Sequence, residues 1–375
     1  MRVIILSSSP LHRMHFTDLY INEIREQYPV DLWDVSEIYH HPGKDSEFPE
    51  VVKIHSLEEL QEKVQKAAKA DQCVCLTNIL IFDLHTVYHL FHRAGIPLLQ
   101  IDKESMIWWM RDAWYREHQE HADDATKKML RFKDNPVTRP FYSWLEYQHV
   151  KFDYLLGAKN YYPDQAKHFI PIHSLKYDEY LRSTQEEPVL SEKYILFMDA
   201  GLAHLPAVSG QPNSIDRDDY LICMNRLFDQ LEERYHLPVV IAAHPKSEYP
   251  ENAFRGRQAI LYKTAALARY AEFVLCHYST SIIDLVLQRK PIVFMTSRDY
   301  MKSASKTILI TTAEYARLLH APLLELHEEK LPGSLAVQVE EAAYDAFTRE
   351  HIIGQAPAGK NNRELILEFL KTLEK

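Results

Sequence analysis

With 375 residues, the chain exceeds the usual size of one compact core and suits two α/β domains. Hydrophobic residues make up 46% of it and charged residues 26%, a balance that excludes an intrinsically disordered chain. The formal net charge of −10 argues against an extended nucleic-acid-binding surface, which needs clustered Lys and Arg, so we expect no nucleic-acid partner.

The N-terminal segment, the apolar stretches and the four cysteines bear on where the protein is located. The opening apolar run, residues 3–6, is too short for the core of a signal peptide. No uninterrupted apolar stretch of the sequence approaches the ~20 residues that span a bilayer. We expect Cys73, Cys75, Cys223 and Cys276 to be buried reduced thiols. These features predict a cytoplasmic protein, and peripheral association with the inner face of the membrane stays open.

Apolar runs rich in β-branched residues alternate along the chain with longer amphipathic segments, which predicts parallel strands joined by helices. The strand candidates are, in chain order, residues 3–6, 30–35, 73–77, 97–101, 154–157, 194–198, 239–242, 273–276 and 292–295. Their near-continuous hydrophobicity predicts sheets that helices cover on both faces. The predicted fold class is therefore α/β, with one doubly wound, Rossmann-like unit in each half of the chain.

The domain boundary is predicted from breaks in this pattern. Residues 103–151 are polar and aromatic without strand signals, and we interpret them as helices inserted in the first domain. Residues 173–193 are polar, contain Pro188, and are the best linker candidate. We therefore predict an N-terminal domain over 1–185 and a C-terminal domain over 186–375, whose last helix is a candidate to return to the first domain.

The loop after the first strand reads Ser-Ser-Ser-Pro at residues 7–10, and the whole chain has only nine glycines. A dinucleotide-binding enzyme needs Gly-x-Gly-x-x-Gly there so that its backbone can approach a pyrophosphate. Neither that pattern nor a Walker Gly-Lys-Ser/Thr loop occurs in the sequence, which argues against a dehydrogenase and an ATPase.

The same loop carries candidate acceptor-binding side chains. Ser8, His12 and Arg13, with His15 nearby, follow the first strand and are expected to face a cleft between the domains. These polar and basic side chains suit an acidic or hydroxylated acceptor.

An acidic-glycine motif, Phe-Met-Asp-Ala-Gly at 197–201, closes the first strand of the second half. Ligands of open α/β sheets bind beyond the carboxyl ends of the strands, so Asp199 is expected at the rim of a crevice. A carboxylate there can take a proton from an attacking hydroxyl. The alternative is that Asp199 caps a turn whose backbone angle Gly201 supplies.

A second motif, His244-Pro245-Lys246, ends the next strand candidate. The proline fixes the direction of the preceding residue, so His244 is presented at the strand end. Its imidazole can hydrogen-bond a phosphate oxygen and protonate a departing nucleotide, and Lys246 adds positive charge. A packed histidine without a ligand is the alternative.

A third motif places Ser279, Thr280 and Ser281 between a strand candidate and an amphipathic helical segment. Free backbone N–H groups at a helix start and three hydroxyls suit a phosphate. An ordinary helix cap is the alternative, because Ser and Thr are favoured there in any case. All three motifs follow successive strands of one predicted parallel sheet and are therefore expected to converge on one site.

Taken in order, the three motifs resemble those of bacterial GT-B glycosyltransferases that use CMP-activated sugars, namely the sialyltransferases and Kdo transferases of capsule and lipopolysaccharide assembly. The resemblance covers residues 194–295. It departs from the usual pattern of two adjacent acidic residues before the glycine, because Met198 precedes Asp199 and Ala200 follows it. It implies a GT-B fold, with two Rossmann-like domains facing a cleft. It also implies transfer of a sugar, such as sialic acid or Kdo, from a CMP-activated donor to a glycan acceptor in surface polysaccharide synthesis.

The resemblance also implies roles for individual residues. Asp199 corresponds to the general base, and His244 to the general acid or phosphate ligand. The expected nucleotide-binding and phosphate-binding residues are Gly201, Pro245, Lys246, His277, Ser279, Thr280 and Ser281.

Three alternatives remain open at this point. The segment 277–280 also resembles the Asp-Tyr-Ser-Ser segment of CDP-glycerol glycerophosphotransferases, with His277 in place of the acidic residue. A UDP-sugar enzyme of the same fold is the second alternative. The third is a non-catalytic subunit of a polysaccharide assembly complex.

No essential metal and no cofactor besides the CMP-sugar are expected. The Asp-x-Asp at Asp216 and Asp218 lies before an apolar helical segment, not at a strand end, so helix capping accounts for it better than metal binding. The expected partners are therefore the nucleotide sugar and the glycan acceptor, and the sequence does not define the oligomeric state.

Overall fold

The computed structural model describes residues 1–40, 46–81, 83–103, 105–121, 150–184, 187–202, 215–244, 249–297, 306–357 and 359–374. The chain divides into two compact units. The first comprises Met1–Met106, Gln119–Leu175 and Ile353–Lys375, and the second comprises Ile107–His118 and Lys176–Ile352. The longer segment of the second unit thus begins ten residues before the predicted boundary, and the last 23 residues of the chain belong to the first unit.

The first unit contains a seven-stranded parallel sheet in the order β3-β2-β1-β4-β5-β6-β7. Its strands are β1 (Arg2–Ser7), β2 (Val30–Asp34), β3 (Val51–Lys53), β4 (Cys73–Thr77), β5 (Leu98–Ile101), β6 (Phe152–Gly157) and β7 (Ala166–Pro171). Its helices are α1 (Arg13–Asp18), α2 (Ile21–Arg25), α3 (Leu57–Ala70) and α4 (His85–Arg93). A 3₁₀ turn, Pro163–Gln165, precedes β7. Helix α5 (Ser105–Glu117) begins in this unit and lies mostly in the second, and a further 3₁₀ turn, Gln119–His121, follows it.

Two buried clusters cover the two faces of the first sheet. One face packs against α1, α2 and the last helix of the chain, and the other packs against α3 and α4. Alternate residues of β1 serve the two clusters: Val3 and Ile5 belong to one, and Ile4 and Leu6 to the other. This is the two-sided burial that the continuous hydrophobic strands predict.

The second unit contains a six-stranded parallel sheet in the order β10-β9-β8-β11-β12-β13. Its strands are β8 (Ile195–Met198), β9 (Val239–Ala243), β10 (Ala259–Leu261), β11 (Phe273–Cys276), β12 (Ile292–Thr296) and β13 (Leu323–Glu325). Its helices are α6 (Leu175–Ser183), α7 (Arg217–Tyr235), α8 (Thr264–Tyr270), α9 (Ile282–Leu287), α10 (Lys306–Leu318) and α11 (Glu341–Phe347), which a π-helical segment, Thr348–Ile353, follows. Helix α12 (Asn362–Thr372) then ends the chain in the first unit.

The predicted α/β class and doubly wound topology are confirmed. Each of the nine predicted strands is present, with bounds that shift by at most two residues at either end. The segment predicted as a linker, 173–193, contains the boundary between the units, after Leu175, and also the nine-residue helix α6. Much of the predicted helical insertion, residues 122–149, lies outside the described residues, whereas its beginning forms α5.

The four cysteines are free and buried, as predicted. Of the helices in the part of the chain that the structure describes, none is long and apolar enough to cross a membrane.

Candidate functional site

The point where the second sheet reverses its winding order lies between β8 and β11. These two strands are neighbours, with Met198 opposite Cys276, although two other strands separate them in the chain. From β8 the chain winds one way through β9 and β10, and from β11 it winds the other way through β12 and β13. Open α/β sheets bind ligands at such a switch point, beyond the carboxyl ends of the strands. Asp199 and His277 are the residues that follow β8 and β11.

Asp199 is almost fully buried, at 8% exposure, and its carboxylate is engaged on both oxygens. Oδ1 accepts a hydrogen bond of 3.0 Å from the N–H of Gly201, and Oδ2 accepts one from the hydroxyl of Tyr249. The backbone N–H of Asp199 donates to the carbonyl of Ala242 at 3.1 Å, which extends the pairing of β8 with β9. Gly201 has a φ of 68°, the left-handed conformation that glycine adopts most easily. The turn-capping interpretation of Asp199 is thus confirmed, and its role as a base stays a prediction.

Tyr249 links the ends of β8 and β9. Its hydroxyl donates to Asp199 and accepts a hydrogen bond of 3.2 Å from the backbone N–H of His244. His244 follows β9 directly and is half-buried. The structure therefore brings Asp199 and His244 to one cluster, as the motifs predict. Pro245 and Lys246 lie outside the described residues.

His277 is fully buried at the end of β11, and both of its ring nitrogens are engaged. Nδ1 lies 2.9 Å from the carbonyl oxygen of Met295, which can only accept, so we assign the proton to Nδ1. Nε2 then accepts a hydrogen bond of 3.0 Å from the hydroxyl of Tyr220. Burial lowers the pKa of His277 to about 4, although the Met295 carbonyl and the charge of Asp199 act to raise it. The imidazole is therefore neutral at physiological pH, and its complete burial keeps it from contact with solvent.

The hydroxyl cluster follows His277. Ser279 is half-buried, and its Oγ accepts a hydrogen bond of 3.1 Å from the backbone N–H of Ser281. The side chain of Thr280 is exposed. The helix that follows, α9, has only six residues, and the first five of them are buried, so it is shorter and less amphipathic than the sequence predicts. Five of its six residues are buried, so the helix is covered on nearly all sides.

Asp284 is a second buried carboxylate, three residues after the hydroxyl cluster, and none of the three motifs includes it. Its side chain is 1% exposed, and its Oδ1 has no hydrogen-bond partner among the described residues. Burial raises its pKa to about 7; the charge of Glu179 adds to the shift and that of Lys176 opposes it. A carboxyl in this state exchanges a proton near neutral pH, which is a property of many functional sites.

Tyr249 and Tyr220 are the other residues that sequence reasoning missed. Each makes its contact with a residue 50 or more positions away, Asp199 for Tyr249 and His277 for Tyr220. Neither tyrosine belongs to a recognisable motif, so no local signal was available to identify them.

The acceptor candidates lie in the first unit, after β1. The backbone N–H of Ser8 donates to Oδ1 of Asn78, which follows β4, at 3.1 Å. These two residues flank the point where the first sheet reverses its winding order, between β1 and β4. His12 precedes α1 and Arg13 begins it, and both side chains are exposed.

His15 of the same loop is held in a defined orientation. Its Nδ1 accepts a hydrogen bond of 3.0 Å from the backbone N–H of His12, and its Nε2 lies 3.4 Å from Oγ of Ser9. Burial, and then the charge of Lys103, lower the pKa of His15. When the ring is neutral, its proton therefore lies on Nε2, so His15 can donate to a ligand oxygen but is not arranged as a base.

The Asp-x-Asp segment caps a helix, as predicted. Asp216 precedes α7, and its Oδ1 accepts a hydrogen bond of 2.8 Å from the backbone N–H of Asp219. The interaction satisfies one of the free N–H groups at the start of the helix.

No protein-family model matches this sequence, and no curated protein matches it. In structure, the chain is similar to UGT2 of Phytolacca americana, solved with UDP-2fluoro-glucose and pterostilbene, with a TM-score of 0.51 and 10% identity over 100% of both chains. The apo form of that protein gives a TM-score of 0.51 and 11% identity over the same coverage. UDP-GlcNAc 2-epimerase from Methanocaldococcus jannaschii gives 0.46 and 9%, over 99% of this chain and 100% of the other.

At identities this low, the likeness to UGT2 concerns the fold alone. It confirms the predicted GT-B architecture, a fold built from two doubly wound α/β units.

Proposed function

We propose that the protein is a nucleotide-sugar-dependent glycosyltransferase whose second unit binds the nucleotide part of the donor. The observation that carries the proposal is the location of Asp199 and His277 at the ends of β8 and β11, on either side of the switch point. The three motifs predicted to share a site follow β8, β9 and β11, which are consecutive strands in the sheet. The solved UGT2 binds a UDP-sugar with the same overall fold, which supports a nucleotide sugar as the ligand.

The reaction assigned to this site moves a sugar from phosphate to an acceptor hydroxyl. The acceptor oxygen forms a bond to the anomeric carbon while the bond from that carbon to the donor phosphate breaks. The acceptor proton passes to Asp199, and the departing phosphate oxygen takes a hydrogen bond or proton from His244. Tyr249 supports both steps as a positioning residue, because its hydroxyl contacts the Asp199 carboxylate and the His244 backbone.

Hydroxyl and backbone groups then hold the phosphate. Thr280 and Ser279 offer hydroxyls beside the switch point, and Gly201, Pro245, Lys246 and Ser281 complete the proposed binding set. His277, a predicted ligand residue, acts in this proposal as a positioning residue, because its ring is buried and engaged on both sides.

A CMP-activated sugar is the first donor we propose, and a glycan of a bacterial surface polysaccharide is the acceptor. The order of the three motifs supports this choice. A UDP-sugar is the second candidate donor, because UGT2, the structural neighbour with the higher TM-score, was solved with one. Both donors present a phosphate to the same strand ends and differ in the base and in the number of phosphates.

A thermal-shift panel with CMP, CDP, UDP, GDP and NAD tests the proposal and separates the donors. A nucleotide at about 100 times its dissociation constant stabilises the binding-competent state by roughly 2.7 kcal/mol, which is a measurable shift. Stabilisation by CMP alone supports the CMP-sugar, and stabilisation by UDP alone supports the second candidate. A response to none of them contradicts the proposal and favours a non-catalytic subunit.

Turnover of the stabilising donor is then measured for the wild type and for His244→Ala. Loss of general acid catalysis typically costs about 10²- to 10⁴-fold in rate, so we expect a loss in that range with an unchanged melting temperature. Wild-type turnover in this variant would remove His244 from the mechanism. If CDP is the preferred nucleotide, CDP-glycerol is added to the donor set to test glycerophosphate transfer.

A further inference from the structure

Three side chains of metal-ligating type that the proposed mechanism does not use lie together in the second unit. Asp219 and Cys223 are four residues apart on α7, so they lie on one face of the helix a turn apart. His327 follows β13. One ligand atom from each residue lies within 4.8 Å of the other two, and Nε2 of His327 is 3.5 Å from Oδ2 of Asp219.

One of these separations already suits a single tetrahedral ion. With metal–ligand bonds of about 2.0–2.3 Å, the ligand atoms of a tetrahedral zinc site are about 3.3–3.8 Å apart. The Asp219–His327 separation of 3.5 Å lies within that range. A carboxylate oxygen, a thiolate sulfur and an imidazole nitrogen together favour a borderline transition metal over Mg²⁺ or Ca²⁺, which prefer oxygen alone.

Cys223 is fixed in position by its neighbours. A guanidinium nitrogen of Arg226 donates a hydrogen bond to its Sγ at 3.8 Å. Arg226 itself is held by a 3.2 Å hydrogen bond to the carbonyl of Leu326, the residue before His327. Cys223 and Arg226 also line a cavity of about 160 Å³, which leaves room beside the sulfur for a water molecule.

We propose that Asp219, Cys223 and His327 form a binding site for Zn²⁺ or a similar divalent transition-metal ion, with water as the fourth ligand. The ion joins the first turns of α7 to the segment after β13 and so stabilises the second unit. The proposal does not depend on the proposed glycosyltransferase activity. None of its three residues belongs to the proposed donor-binding set, for which a metal-free mechanism remains our prediction.

The test titrates the chelator-stripped, full-length protein with Zn²⁺ against a chromophoric chelator, and with Co²⁺ followed by absorption. The variants are Asp219→Asn, His327→Ala and Cys223→Ser. The matched control is Asp218→Asn, an exposed neighbour in the same turn. We expect one Zn²⁺ per wild-type chain, at least about tenfold weaker binding in each ligand variant, and wild-type binding in the control. The Co²⁺ complex should show the charge-transfer absorption of a thiolate ligand, which Cys223→Ser abolishes.

Failure of the wild type to bind stoichiometric Zn²⁺ would overturn the proposal, and so would wild-type affinity in both Asp219→Asn and His327→Ala. These two side chains are 56% and 35% exposed, so their replacement leaves the fold intact even if the buried Cys223 does not tolerate substitution. Mg²⁺ serves as the metal control, and binding of Mg²⁺ as tight as that of Zn²⁺ would contradict the assigned ligand set.

Discussion

At the scale of single residues, hydrogen bonds at the ends of neighbouring strands hold the side chains of the candidate site in position. Asp199 and His244 come from different strands, and the hydroxyl of Tyr249 connects them. The sequence placed Asp199 and His244 correctly after β8 and β9, because a polar residue that ends a buried apolar run is visible in any sequence. Tyr249 was not predictable, because its contact with Asp199 spans 50 residues and arises only when the two strands pair.

We expect Tyr249→Phe to impair the proposed activity and to lower stability. The substitution removes a hydrogen bond to a buried carboxylate, and such bonds contribute about 1.5–3 kcal/mol. Melting temperature and turnover are measured side by side with Tyr262→Phe, a control whose side chain is 75% exposed. Equal stability and turnover in both variants would show that the Tyr249 hydroxyl has no role.

The buried carboxyl of Asp284 should make the stability of the protein depend on pH. Its pKa is about 7 in the folded protein against an ordinary value of 3.8, so the folded state binds its proton more tightly than the unfolded state. Its contribution to the free energy of unfolding is therefore full below about pH 4 and is lost as the pH rises to about 7.

Asp284→Asn removes that pH dependence. Relative to the wild type, we expect the variant to gain stability as the pH rises from 5 to 7, by up to about 1.4 kcal/mol per pH unit. Melting temperatures of both proteins across this range provide the measurement, with the exposed Asp218→Asn as the control. A constant difference between wild type and Asp284→Asn at every pH would contradict the raised pKa.

At the scale of elements, the strands that the sequence predicts are more deeply buried than the strands that it does not predict. All nine predicted strands lie inside the sheets or carry continuous apolar runs. The four that were missed are the edge strands of the two sheets: β3, β7, β10 and β13. Three of these have only three residues, and all four are partly exposed, so neither length nor periodicity distinguishes them from loops.

Gly354, in the turn after the π-helical segment, imposes a strict local requirement. Its φ is +59°, and a Cβ at this position would collide with the carbonyl oxygen of Ala158. Gly95 also has a positive φ, +69°, but a Cβ there meets no atom within 4 Å. An alanine at Gly95 would therefore experience backbone strain alone, whereas an alanine at Gly354 would experience both backbone strain and a steric collision.

We expect Gly95→Ala to cost about 1–2 kcal/mol, which is the left-handed conformational penalty alone. Gly354→Ala adds the collision with backbone atoms, so its loss of stability should exceed that of Gly95→Ala by several kcal/mol or prevent folding of the first unit. Chemical denaturation of both variants checks the order. A smaller loss for Gly354→Ala would mean that the Ala158 segment moves easily.

At the scale of the whole molecule, the sequence predicts two α/β units because each half repeats the alternation of buried strands and amphipathic helices. It also makes the last helix a candidate to return to the first domain, and in the structure that helix belongs to the first unit. Helix α12 contributes Leu365, Phe369 and Leu370 to the same core as Val3 and Ile5 of β1. A contact between positions this distant in sequence leaves no local pattern, so the sequence identifies the candidate helix and the structure identifies the residues that it packs against.

Because α12 packs in the first unit, substitutions in the two cores should destabilise different sheets. Phe369 is 8% exposed in the core of the first unit, and Phe228 on α7 is fully buried in that of the second. Truncating a buried Phe to Ala typically costs about 3–5 kcal/mol. In hydrogen exchange, Phe369→Ala should reduce the protection of β1 and β4, and Phe228→Ala that of β8 and β9. Each variant serves as the control for the other, since both lose the same side-chain volume. If Phe369→Ala instead reduced the protection of β8 and β9 as strongly as that of β1 and β4, α12 would not be specific to the first core.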